Sequence, residues 1–147
     1  EALRAGRAIF CDVQMVARGI IPRLLPNGVD IVCTLDDAGV ADRAGALRTT
    51  RSAAAVDIWA ERIDGAILVF GNAPTALFRL LEWVSQAGAR PALVVGMPVG
   101  FVGAVESKQA LAERPELASI IVHGRRGGSA MAAATVNAIA ILSRAAS

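Results

Sequence analysis

Three glycine-rich segments hold the residue types best suited to chemistry. They are Gly71-Asn72-Ala73-Pro74-Thr75, Gly96-Met97-Pro98-Val99-Gly100-Phe101 and His123-Gly124-Arg125-Arg126-Gly127-Gly128-Ser129. Glycine lets a backbone approach a ligand closely, and the first turn of a helix offers unpaired N–H groups to anions. Arg125 and Arg126 add fixed positive charge. Together these features suit a ligand that carries carboxylates or phosphates. His123, the one histidine, reads either as a general acid or base or as a hydrogen-bonded residue at a strand end. Thr50-Arg51-Ser52 reads either as a capped helix start or as a way of facing Arg51 toward a ligand carboxylate. Glu106-Ser107-Lys108 is either a solvated helix face or part of a site.

Other chemistries find no support. Gly96, Gly100 and Gly103 miss the G-x-G-x-x-G spacing, and no G-x-x-x-x-G-K-[ST] occurs. Gly128-Ser129-Ala130 lacks the last glycine of a nucleophile elbow. One histidine and two distant cysteines, Cys11 and Cys33, fall short of the four ligands of structural zinc, so no metal is expected. Those cysteines make neither a disulfide framework nor a Cys-x-x-Cys site. Asp36-Asp37 reads as a turn or a helix cap in preference to a catalytic pair.

The elements that would position these segments alternate. Short Val- and Ile-rich runs at Ile9–Cys11, Asp30–Leu35, Ala66–Phe70, Ala92–Val95 and Ser119–Val122 lack polar alternation, as strands of a parallel sheet covered on both faces do. Thr50 or Ser52 caps a helix to about Arg62, with Val56, Trp59, Ala60 and Ile63 on one face. Pro74 opens a helix that should stop near Gly88. Further helices are predicted over Gly103–Glu113 and from Ser129 to about Arg144. The last carries Met131, Ala134, Ala138 and Leu142 at helical spacing, a stripe expected mainly in the core. The predicted fold is three-layer α/β, a mostly parallel sheet of about five strands with helices on both faces. Ligands of such sheets bind beyond the carboxyl ends of the strands, where all three glycine-rich segments would meet.

The 147 residues make one domain, with no internal boundary or repeat. A 54% apolar and 19% charged composition excludes intrinsic disorder. Aromatics at 4% and a formal charge of +2 argue against a nucleic-acid partner. No apolar run reaches membrane-spanning length and the first residues are polar, so a soluble cytoplasmic protein is the expectation. Mean hydropathy of +0.51 is high for this size, which points to a subunit interface or a covering segment.

Taken in order, the segments resemble precorrin-8X methylmutase. The resemblance rests on Gly71-Asn72-Ala73-Pro74-Thr75-Ala76-Leu77-Phe78, on Met97-Pro98-Val99-Gly100-Phe101-Val102-Gly103-Ala104 with Glu106-Ser107-Lys108, and on Arg126-Gly127-Gly128-Ser129-Ala130-Met131. Thr50-Arg51-Ser52-Ala53-Ala54 and Cys11-Asp12 with Met15-Val16-Ala17 are similar to the same family. The match runs over almost the whole chain.

The resemblance implies an isomerase of cobalamin biosynthesis, a homodimer without a separate cofactor. Such an enzyme moves a methyl group from ring carbon 11 to ring carbon 12 of precorrin-8X to give hydrogenobyrinate, or acts on cobalt-precorrin-8. It also implies a histidine as general acid, in a His-Ala-Cys-Gly-like segment upstream of the region covered here. This chain has no such segment, and His123 does not occupy that position. The catalytic residue is therefore left unassigned. The chain is expected to be the C-terminal larger part of a methylmutase, to rely on a partner chain, or to be catalytically silent. The substrate-binding candidates carried over are Arg51, Asn72, Thr75, Gly100, Phe101, Ser107, Lys108, Gly127, Gly128 and Ser129. Arg51 and Lys108 would meet carboxylates, and the glycines and Ser129 would present N–H groups. Phe101 would lie on the macrocycle face or in the core. A non-catalytic module binding a corrinoid or other polycarboxylate, and an unrelated nucleotide-binding domain, are the alternatives.

Overall fold

A computed structural model describes residues 1–59 and 62–145. Five strands form one sheet: β1 (Ile9–Cys11), β2 (Ile31–Val32), β3 (Ile67–Phe70), β4 (Leu93–Gly96) and β5 (Ser119–Ile121). The order is β2-β1-β3-β4-β5, and each recorded pairing is parallel. Six helices connect and cover them: α1 (Gln14–Gly19), α2 (Val40–Ala46), α3 (Arg51–Asp57), α4 (Pro74–Ala87), α5 (Ala104–Ala112) and α6 (Ser129–Ala145). A 3-10 turn, Pro22–Leu24, follows α1.

Side chains alternate across the sheet and feed two cores. Phe10, Leu68, Phe70 and Val94 pack against α3, α4 and α5 on one face. Ile9, Cys11, Ile67, Val69 and Val95 pack against α1 and α6 on the other. Double coverage is why the central strands read as continuous apolar runs. Trp59 anchors the first core. It is fully buried between Phe10 and Phe70, with ring centroids 5.4 and 5.8 Å away. Its Nε1 donates to Thr34 Oγ1 at 2.8 Å, and that hydroxyl donates to the Ala55 carbonyl at 3.0 Å. The indole thereby ties the end of β2 to α3.

Several boundaries differ from the sequence reading. The second strand was expected over Asp30–Leu35 but pairs only at Ile31–Val32, because it lies at the sheet edge and Thr34 turns in to meet Trp59. The third helix ends at Asp57 rather than near Arg62; Ala60 lies outside the described residues. The α6 stripe is the larger correction. Ala132, Ala133, Val136 and Ala140 are buried, whereas Met131, Ala134, Ala138 and Leu142 are exposed. The helix is apolar almost all round, so spacing alone could not tell its two faces apart. Among the described residues, no helix is long and apolar enough to cross a membrane.

Truncating Trp59 removes the largest buried side chain and strands its hydroxyl partner. Trp59→Ala should lower unfolding stability by about 3–5 kcal/mol in a urea titration. A loss below 1 kcal/mol would mean that the indole does not anchor this core.

Candidate functional site

All five strands point the same way, so their carboxyl ends share one rim. The strand order reverses between β1 and β3, the position at which open α/β sheets leave a crevice. Asp12 sits there, directly after β1, and is 1% exposed. Its carboxylate accepts three backbone N–H groups from the loop after β3: Gly71 at 3.1 Å, Asn72 at 2.8 Å and Ala73 at 2.8 Å. These are amides at the mouth of α4, which has no side-chain cap of its own. Burial pushes the Asp12 carboxyl above its ordinary value, and the amide bonds pull it part of the way back.

Glycine makes the next contacts possible. A Cβ on Gly71 would lie 2.6 Å from Val16 Cγ2 and 2.7 Å from Ser129 Cα. The loop after β3 is therefore pressed between α1 and the start of α6. A Cβ on Gly127 would collide with the Met97 carbonyl, and Gly127 has φ +154. The Gly128 N–H donates to that same carbonyl at 2.8 Å. Lys108, wholly buried, donates from Nζ to the Arg126 carbonyl at 2.7 Å. Burial holds its ammonium below the ordinary lysine value. The loops after β4 and β5 are thus clasped together, and the Arg125 guanidinium lies 5.4 Å from the Phe101 ring centroid.

The ten candidates fall into two groups. Arg51, Asn72, Thr75 and Phe101 are exposed on the rim, and Gly100 is half-exposed with open space around it. Phe101 is 81% exposed, so its core alternative is excluded. Arg51 donates to the Leu35 carbonyl at 3.1 Å and pairs with Asp36 at 3.2 Å. Thr75 shares a 2.7 Å hydrogen bond with Thr50, whose hydroxyl also caps α3 by accepting from the Ala53 N–H. Ser107, Lys108 and Ser129 are buried, and Gly127 and Gly128 are half-buried. Ser107 Oγ donates to the Ala104 carbonyl at 3.2 Å. The Lys108 ammonium and the Gly128 N–H are both directed at carbonyls within the rim, not outward to a ligand. His123 is exposed at the start of the last loop.

The sequence reading assigned no role to Asp12. An aspartate ending a fully apolar strand was the available signal, since a buried acid there needs several donors. Around the outward group the rim is apolar, with Met15, Val102 and Met131 at 72%, 91% and 45% exposure. Arg51, Arg125 and Arg126 supply exposed cations. Among the described residues, no group of three or more His, Cys, Asp or Glu could hold a metal ion. The arrangement can hold a broad ligand with apolar faces and acidic edges.

Asp12→Ala would leave three amides without their acceptor. It should cost about 3 kcal/mol or more in urea unfolding, and retention of wild-type stability would remove Asp12 from its organising role. For Lys108, the unfolded chain holds its proton more tightly than the folded one. Stability should therefore rise with pH in the interval immediately below 10.5. Lys108→Met should flatten that rise in unfolding measurements across the interval; an unchanged slope would assign it to another group.

The model of the precorrin-8X methylmutase family matches residues 1–142. Precorrin-8X methylmutase of Pseudomonas aeruginosa is 53% identical over 140 residues, covering 95% of this chain and 67% of the relative. Cobalt-precorrin-8 methylmutase of Priestia megaterium is 41% identical, covering 97% of this chain and 63% of the relative. The chain thus spans about two thirds of the length of these relatives. The crystal structure of a precorrin-8x methyl mutase from Thermus thermophilus superposes with a TM-score of 0.87 at 41% identity, covering 99% of this chain and 71% of that one. The chain belongs to the precorrin-8X methylmutase family.

Proposed function

We propose that this chain works as a methylmutase of cobalamin biosynthesis. It moves a methyl group from ring carbon 11 to ring carbon 12 of precorrin-8X, giving hydrogenobyrinate, or does so on cobalt-precorrin-8. The relatives that bear these two substrate names support the reading. The observation that carries it is the rim, where three mutually clasped loops leave cations and apolar side chains facing outward. A corrin-type macrocycle has flat apolar faces and a periphery of carboxylates. Phe101, Val102, Met15 and Met131 suit the faces, while Arg51, Arg125 and Arg126 suit the acids.

The reaction is an isomerisation, so no atom is gained or lost. Protonation of the conjugated ring redistributes its electrons and favours the sigmatropic shift. The part assigned to this chain is to hold the ring in one orientation with its acids paired, so that the migrating methyl group and its acceptor carbon stay adjacent. Asn72, Thr75 and Gly100 contribute polar contacts at the rim, and Ser107, Lys108, Gly127, Gly128 and Ser129 fix its shape from beneath. Residues 1–147 act as one α/β domain of such an enzyme, in the cytoplasm. A homodimer would give the exposed Ala134, Ala138 and Leu142 of α6 a partner. A non-catalytic corrinoid-binding module is the second reading, and the relatives' names favour the first.

An absorbance titration with hydrogenobyrinate should give a saturable spectral change. Arg51→Ala should weaken that binding by about tenfold or more, and unchanged affinity would exclude Arg51 from carboxylate contact. Absence of any spectral change, with a nucleotide bound instead, would overturn the corrinoid reading.

A further inference from the structure

Beside the rim lies a hollow of about 380 Å3 between the start of α3 and the outer face of α4. Arg48, Thr49, Thr75 and Phe78 line it, with Leu47 and Ala53. Thr75 lies in the first turn of α4, immediately after the loop that follows β3, so the hollow opens directly off the rim. Two further charges border it, Arg79 and Glu82. Arg79 is already engaged, pairing with Glu82 at 2.6 Å and with Asp57 at 2.6 Å, so it offers no free cation to the hollow.

Arg48 differs from them. Among the described residues its guanidinium has no hydrogen-bond or ion-pair partner. Its backbone has φ +50, and it is the sole non-glycine residue with positive φ among the described residues. A side chain other than glycine, asparagine or aspartate rarely occupies that conformation, because its Cβ crowds the backbone. A strained backbone carrying an unpaired cation into a hollow motivates a functional role. Leu47 and Phe78 are the large apolar side chains of the lining, 51% and 36% exposed. One unpaired cation beside two apolar side chains matches a short alkyl chain that ends in a carboxylate.

We infer that the Arg48 hollow is a subsite for one carboxylate-bearing alkyl side chain at the edge of the bound macrocycle. The inference rests on the proposed corrinoid function and adds an anchor outside the glycine-rich loops. The methylene stem lies along Leu47 and Phe78, and the carboxylate accepts from the Arg48 guanidinium, with the Thr49 hydroxyl as a second donor. Such a contact fixes the rotation of the ring over the rim, which symmetric contacts to its faces cannot do.

Glycine adopts φ +50 without strain, so Arg48→Gly removes the cation without endangering the fold. Two titrations decide the matter. In the first, hydrogenobyrinate should bind Arg48→Gly about tenfold or more weakly than wild type, and Arg48→Lys should recover part of the loss. Equal affinities for wild type and Arg48→Gly would overturn the inference and leave the proposed function standing. In the second, sodium propionate is titrated while the amide signals of Thr49 and Thr75 are followed by NMR. Saturable shifts in wild type that vanish in Arg48→Gly support the subsite even if hydrogenobyrinate fails to bind, a failure that would overturn the proposed function. Identical shifts in both proteins, or none in wild type, would overturn the subsite.

Discussion

A single buried carboxylate joins the two halves of this sheet. Asp12 directly follows β1, and the amides it receives lie 59 to 61 residues later, at the mouth of α4. The bonds cross the point where the strand order reverses, so they close the place where an α/β sheet would otherwise part. A carboxylate at 1% exposure is costly unless its lone pairs are filled, and here backbone N–H groups fill them. Those N–H groups gain in turn, since loop amides buried away from water need an acceptor. The two needs cancel, and the loop after β3 has one position in which both are met.

The remaining contacts of the rim extend that constraint outward. With Gly71 fixed by Asp12, the absence of a side chain lets Ser129 and Val16 close over it. The start of α6 is then placed, and with it the Gly127-Gly128 turn that meets the Met97 carbonyl. Lys108 holds the same turn from beneath. The polar groups of the loops are thus largely consumed in building the platform. What faces outward is mainly apolar side chains and arginines, a surface suited to a large, flat polyanion rather than to a phosphate cradle.

Much of this was legible in the residues, for identifiable reasons. β1, β3 and β4 are covered on both faces, and uninterrupted Val, Ile and Leu runs mark such strands within a residue or two. Pro74 and Gly88 bracket α4 because each has a backbone preference that a helix end uses, Gly88 lying at φ +67. Two helices escaped notice. α1 is six residues long and lacks a side-chain cap, and α2 starts after a left-handed Gly39 and contains Gly45, so both lack the usual boundary signals. The site was legible as a set of loops, but not in its division of labour. A lysine in a Glu-Ser-Lys triplet looks solvent-facing, and only the packing of α5 shows Lys108 turned inward to Arg126. An acid directly after an apolar strand signals a need for donors, but which donors meet Asp12 depends on partners far along the chain.

If the clasped strand tips form one platform for a many-acid macrocycle, hydrogenobyrinate added to the isotopically labelled protein should shift backbone amide signals in residues 48–51, 71–75, 97–103 and 123–129. Shifts scattered over the opposite edge of the sheet, or confined to one of these segments, would contradict it.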